Sequence, residues 1–132
     1  MDISFSQAQA VYHAALKLAA DKQVAVAVAV VDAHGELVCY GKMDGVAFHA
    51  GVLAQNKAYT AARDRQPTAN LAQWAQQTGK DLGYWSDPKF TGIGGGMPIA
   101  IDGQVVGAIG ISGMSEEDDA SLAQAAIDLG LS

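Results

Sequence analysis

The chain is short of basic side chains: eight lysines and arginines stand against fourteen aspartates and glutamates, a net charge of −6. With no basic run and no base-stacking motif, that balance excludes a general nucleic-acid binder. Cysteine is almost missing. Cys39 stands alone, so no internal disulfide can form and a reducing compartment fits. No apolar run is long enough to span a bilayer, and Met1-Asp2-Ile3-Ser4 has neither the basic nor the apolar region of a signal peptide. The expectation is a cytoplasmic protein with no membrane partner. The three histidines, His13, His34 and His49, follow no zinc-ligand spacing, so no metal site is read. No Ser/His/Asp or Cys/His pairing can be picked out either.

What is present is a single core. Half of the 132 residues are hydrophobic, which fits one ordered domain over residues 1–132. Helical spacing of Phe5, Ala8, Tyr12, Ala15, Leu16 and Ala19 predicts a helix over 5–22, with Ser4 or Ser6 as its cap. From 24 to 32 valine and alanine alternate strictly, so both faces of that strand are apolar and both must be covered. The alanine face admits a close neighbour, either a helix or a second subunit. Asp32-Ala33-His34-Gly35 turns the chain into a partner strand over 36–41. A second helix is expected over 47–64, with Phe48, Val52, Tyr59 and Ala62 toward one side and His49, Leu53, Asn56, Lys57 and Thr60 toward another. A shorter helix should start at Pro67-Thr68 with the threonine as cap, followed by a loop over 80–93. In that loop, Tyr84 and Trp85 are candidates to line a pocket mouth or plug an interface. Asp102-Gly103 between β-branched runs marks a tight hairpin. The last helix, from Glu116 to Leu129, opens with Ser115 as cap and an acidic cluster at the favourable end of its dipole.

The run Gly95-Gly96-Met97-Pro98, followed by Asp102-Gly103-Gln104-Val105-Val106-Gly107-Ala108-Ile109-Gly110-Ile111-Ser112-Gly113, resembles the GlcG/HbpS family, which includes the C-terminal domain of PduO-type proteins. Val30-Val31-Asp32-Ala33-His34-Gly35-Glu36-Leu37, Met43-Asp44-Gly45, Asn56-Lys57-Ala58-Tyr59-Thr60-Ala61 and Pro67-Thr68 agree with it in order. The resemblance covers nearly the whole chain. It implies an α/β (α+β) domain with a mostly antiparallel sheet flanked by helices, assembled as a homo-oligomer. It also implies haem or a related tetrapyrrole as the cofactor of some members, while others sit among catabolic enzymes with no settled activity.

Three functions stay open: a tetrapyrrole-binding protein, which the resemblance implies, an enzyme of small-acid or aromatic catabolism, and a non-catalytic assembly subunit. For the enzyme, Lys57 and Asp44 are the candidate acid and base, if burial shifts them. For any small anionic ligand, Asp44, His49, Lys57, Thr60 and the amides of Gly95 and Gly96 are expected around one pocket. The glycines, Gly94 included, carry no side chain to obstruct a ligand. On this reading a Lys57→Met exchange should weaken anion binding and leave the fold intact. Each candidate also has a structural reading: a turn cap for Asp44, an ion pair for Lys57, a bend for the glycines. Among the histidines His49 is best placed as a haem ligand, since it shares a face with Asn56, Lys57 and Thr60. Cys39 and Met43 are soft alternatives.

Overall fold

The computed structural model describes all of residues 1–132. Helix α1, Phe5–Asp21, begins at a reciprocal cap: the Gln7 amide donates to the Ser4 hydroxyl and the Ser4 amide to the Gln7 side chain. Strands β1, Ala27–Asp32, and β2, Leu37–Lys42, form a hairpin whose turn places Gly35 at φ +91°. Asp32 steadies that turn by accepting from the amides of His34 and Glu36. Helix α2, Ala50–Asp64, and helix α3, Thr68–Thr78, follow. A single 3₁₀ turn, Leu82–Trp85, interrupts the loop, and Trp85 leans on Trp74 and Phe90. Strands β3, Gly96–Ile101, and β4, Gln104–Ser112, are joined by Asp102 and Gly103, both at positive φ as a type I′ turn requires. Helix α4, Glu116–Gly130, closes the chain, its first turn capped by Ser115.

The four strands lie in the order β2-β1-β4-β3, every pair antiparallel. The alternation in β1 sorts side chains onto two faces. Val26, Val28 and Val30 join Ile109, Ile111 and Ile99 beneath α1 and α4, in a core that also takes Leu122 and Val11. Ala27, Ala29 and Ala108 face α2, which meets them with Ala50, Ala54, Ala58, Ala61 and Ala62. The cover on the alanine face is thus a helix of the same chain.

Two helices turn their small side chains inward and leave large apolar ones outside. The aliphatic and aromatic side chains Phe48 and Val52 do not point inward: Phe48 is fully exposed, Val52 is 67% exposed, and α2 itself starts three residues later than expected. The sheet surface beneath is made of alanine and glycine, so the small side chains of the helix, not its large ones, fit against it. Phe5 likewise stays in solvent while Val11 and Ala14 take the buried face of α1. At α3, Pro67 stands at the cap position and Thr68 is buried with other partners.

Candidate functional site

Lys57 is the largest fully buried side chain of the molecule, 1% exposed. It lies on the face of α2 turned toward the end of β4. Its Nζ donates to the carbonyl of Ile111 at 2.8 Å and to Asp119 Oδ2 at 3.1 Å. Asp119 is equally buried, and its other oxygen accepts from the Met114 amide at 3.0 Å. Burial pushes the Lys57 ammonium below its ordinary range, an effect the facing Asp119 partly offsets. Burial pushes the Asp119 carboxyl up, with Lys57 and the backbone amides pulling the other way. Both directions have one cause, the cost of holding charge out of water. The carboxylate beside Lys57 is therefore Asp119 of α4. Asp44 sits in an exposed turn ahead of α2 and lines no cavity with Lys57.

The glycine run threads between these elements. Gly95, at φ +127°, passes so close that a methyl group there would stand 2.8 Å from Lys57 Nζ and 2.9 Å from Asp119 Cβ. A methyl on Gly96 would overlap the carbonyl of Lys57. Two of the amides expected to await a ligand already have protein partners. Gly94 donates to Glu116 Oε1 at 2.7 Å and Gly96 to Thr68 Oγ1 at 3.0 Å. Thr68 in turn donates to the Ile93 carbonyl, so it splices α3 to the glycine run. Thr60, one turn on from Lys57, is wholly buried and holds the loop ahead of β3 through Lys89 and Thr91.

A cavity of about 300 Å³ opens over this pair. His49, Leu53, Ile93 and Met114 form its walls, with Lys57, Glu116 and Asp119 at its base. His49 is exposed, at the cap position of α2, and makes no capping hydrogen bond. The structure therefore sets His49 and Lys57 on one cavity and Lys57 against Gly95, while Gly94, Gly95 and Gly96 do not line that cavity and neither do Asp44 and Thr60. The cavity offers no uncompensated cation, because Asp119 balances Lys57 and Glu116 adds a further carboxylate. Asp119 and Glu116 were hidden in the sequence by their place in an acidic first turn, which the helix dipole explains without them. The available signal was spacing: at i and i+3 they share one side of α4.

An antiparallel sheet clad by helices on both faces, with a buried cation–carboxylate pair beneath a small cavity, defines an α/β domain of a recognisable type. Its particular family follows from comparison: residues 3–128 match the profile of the family described as "Haem degrading protein HbpS-like". The chain belongs to that family. It is 34% identical over 110 residues to the protein GlcG of Escherichia coli K12, covering 83% of this chain and 81% of GlcG. It is 35% identical over 127 residues to the corrinoid adenosyltransferase PduO of Salmonella typhimurium, covering 95% of this chain but only 38% of PduO. Among solved structures, PduOC in complex with haem superposes with a TM-score of 0.88 at 33% identity, covering 98% of this chain and 95% of that one. No helix is long and apolar enough to cross a membrane.

Proposed function

We propose that this chain binds haem or a closely related tetrapyrrole, with His49 as the ligand to the iron. The observation that carries the reading is His49 itself: an exposed imidazole with no capping bond, on the rim of a cavity walled by Leu53, Ile93 and Met114. An imidazole beside apolar side chains is one donor set that can hold a haem. The family description and the haem complex of PduOC support it. Bound haem would supply redox or oxygen chemistry at its iron. The chain's own part is to hold His49 at the start of a rigid helix and to provide apolar contact. At about 300 Å³ the cavity is at the small end for ligand sites. It can take the edge of a macrocycle and not the whole ring. The exposed Phe48 and Val52 beside His49 would then be covered by ligand or by a second copy in a homo-oligomer.

Lys57 and Asp119 act here as positioning residues. They fix α2 against α4 and so set where His49 stands. Titration of the purified protein with haem, followed in the Soret region, tests the reading. A saturable, shifted band for the parent chain, lost in His49→Ala and kept in His13→Ala and His34→Ala, is expected. A parent chain that leaves the spectrum of free haem unchanged, or a His49→Ala variant that binds like the parent, overturns it.

A further inference from the structure

We propose that a second cavity, along the C-terminal half of α2, binds a small organic dicarboxylate. It has a volume of about 390 Å³ and is enclosed by the β1–β2 turn, the outer side of α2 and Lys89 of the following loop. Tyr59 stands within it, its hydroxyl donating to Asp87 at 2.6 Å. The Arg63 guanidinium lies 5.2 Å and the Lys89 ammonium 5.1 Å from the centre of the Tyr59 ring. The ring thus holds two cations at fixed distance.

Neither cation has a carboxylate within ion-pair distance, although both act on the Asp87 carboxylate from further off. The ion pairs of the chain are Lys17–Asp21 and Lys57–Asp119, although acids outnumber bases fourteen to eight. Arg63 and Lys89 thus gather two cations at one concavity of an acidic protein, with Glu36 and Asp87 close enough to offset part of their charge. Arg63 gives one N–H to the His34 carbonyl and keeps the rest of its fork. A smaller cavity of about 200 Å³ adjoins, sharing His34 and Arg63 and adding Arg65. Arg63 therefore stands on the divide between two recesses, each with a second cation: Lys89 on one side, Arg65 on the other. A ligand with an anionic group at each end satisfies both.

The neighbouring acids narrow the class. Glu36 lines the larger cavity, and both oxygens of Asp87 are already engaged, by Tyr59 and by the Lys89 amide. Their charge disfavours the dense dianion of a phosphate. Carboxylates, with less charge on each group and a planar shape that matches the guanidinium fork, are favoured. The cavity shares no lining residue with the one at His49. The proposal therefore stands apart from haem binding.

Calorimetric titration at low ionic strength with glutarate tests it, with acetate and inorganic phosphate as comparison probes. Glutarate should bind saturably and at least about tenfold more tightly than acetate or phosphate, as one extra charge-assisted contact implies. Arg63→Gln and Lys89→Gln should each weaken it by about tenfold or more, with Lys17→Gln and His49→Ala unchanged. Lys89 is an exposed loop residue, so its variant keeps the result readable if Arg63→Gln disturbs the packing on Tyr59. Absence of saturable glutarate binding by the parent overturns the proposal. So does binding that Lys89→Gln leaves intact, or phosphate bound as tightly as glutarate.

Discussion

The two faces of the sheet are built on opposite plans. Beneath α1 and α4 lie Val26, Val28, Val30, Ile109, Ile111 and Leu122, a face that gains stability from the apolar area it removes from water. Beneath α2 lie Ala27, Ala29, Ala108 and Gly110, a face with little area to bury but room for a very close approach. The approach is so close that a methyl group on Gly110 would overlap the backbone of Ala54. Only at that separation can Lys57 reach the carbonyl of Ile111 while it also meets Asp119 of α4. One face supplies bulk stability. The other fixes the distance and register of the helix that carries the candidate site residues, and both proposed ligand sites open along that helix.

The strongest way to break this division is at the buried pair. Lys57→Met leaves Asp119 charged or protonated in a dry site without its partner, and should cost about 3–5 kcal/mol in equilibrium unfolding. The buried ion pair overrides the view from sequence that this exchange leaves the fold intact. Replacing both residues, as Lys57→Met with Asp119→Leu, should recover much of the loss, and a double-mutant cycle measures how much. On the bulky face, Leu122→Ala removes buried atoms and should cost about 2–5 kcal/mol by the same measurement. On the small face the sign of the volume change reverses: Gly110→Ala adds one methyl and should still cost about 1–3 kcal/mol, because helix backbone must move away. Equal tolerance of Gly110→Ala and of an alanine-to-glycine change on an exposed helix would erase the contrast between the faces.

The smallest effect is expected outside both faces, at Tyr59 and Asp87. The tyrosine hydroxyl holds the Asp87 carboxyl below its ordinary range. A carboxylate with a depressed folded value contributes stability that is present above its unfolded value and is lost as pH falls through the folded one. Tyr59→Phe should weaken that acid-side dependence, the Lys89 amide and the nearby Arg63 and Lys89 charges keeping part of it, and cost less than about 1 kcal/mol at neutral pH, since the pair is partly open to solvent. Melting curves of both proteins between neutral and strongly acidic pH read the difference directly.

Much of the fold was legible because its local rules agree. Strict valine–alanine alternation in β1, Gly35 and Asp102-Gly103 at positive φ, and the Ser115 cap each state an element and its end. The face of α2 was not legible from hydrophobicity. Phe48 and Val52 outweigh alanine on any such scale, but the partner surface is itself alanine and glycine, and fit decides which residues go inside. The site was half legible. His49 and Lys57 line one cavity and Lys57 lies against Gly95, while the glycine run stays outside that cavity. Asp119, sixty-two positions from Lys57, becomes its neighbour only once α4 is folded over β4. Helical spacing puts it on the face of Leu122, Ala123 and Ala126, but only the tertiary structure shows that this face buries a charge beside Lys57.

The central claim is that the bulky face supplies apolar burial and no ligand contact, while the α2 face positions the proposed haem ligand His49. Haem titration in the Soret region and thermal melting, run together on His49→Ala and Leu122→Ala, test it most directly. The account predicts that His49→Ala loses the shifted Soret band and melts like the parent. It predicts that Leu122→Ala melts well below the parent and, while still folded, keeps the band. A His49→Ala variant that binds haem like the parent would contradict it, as would one that unfolds as readily as Leu122→Ala.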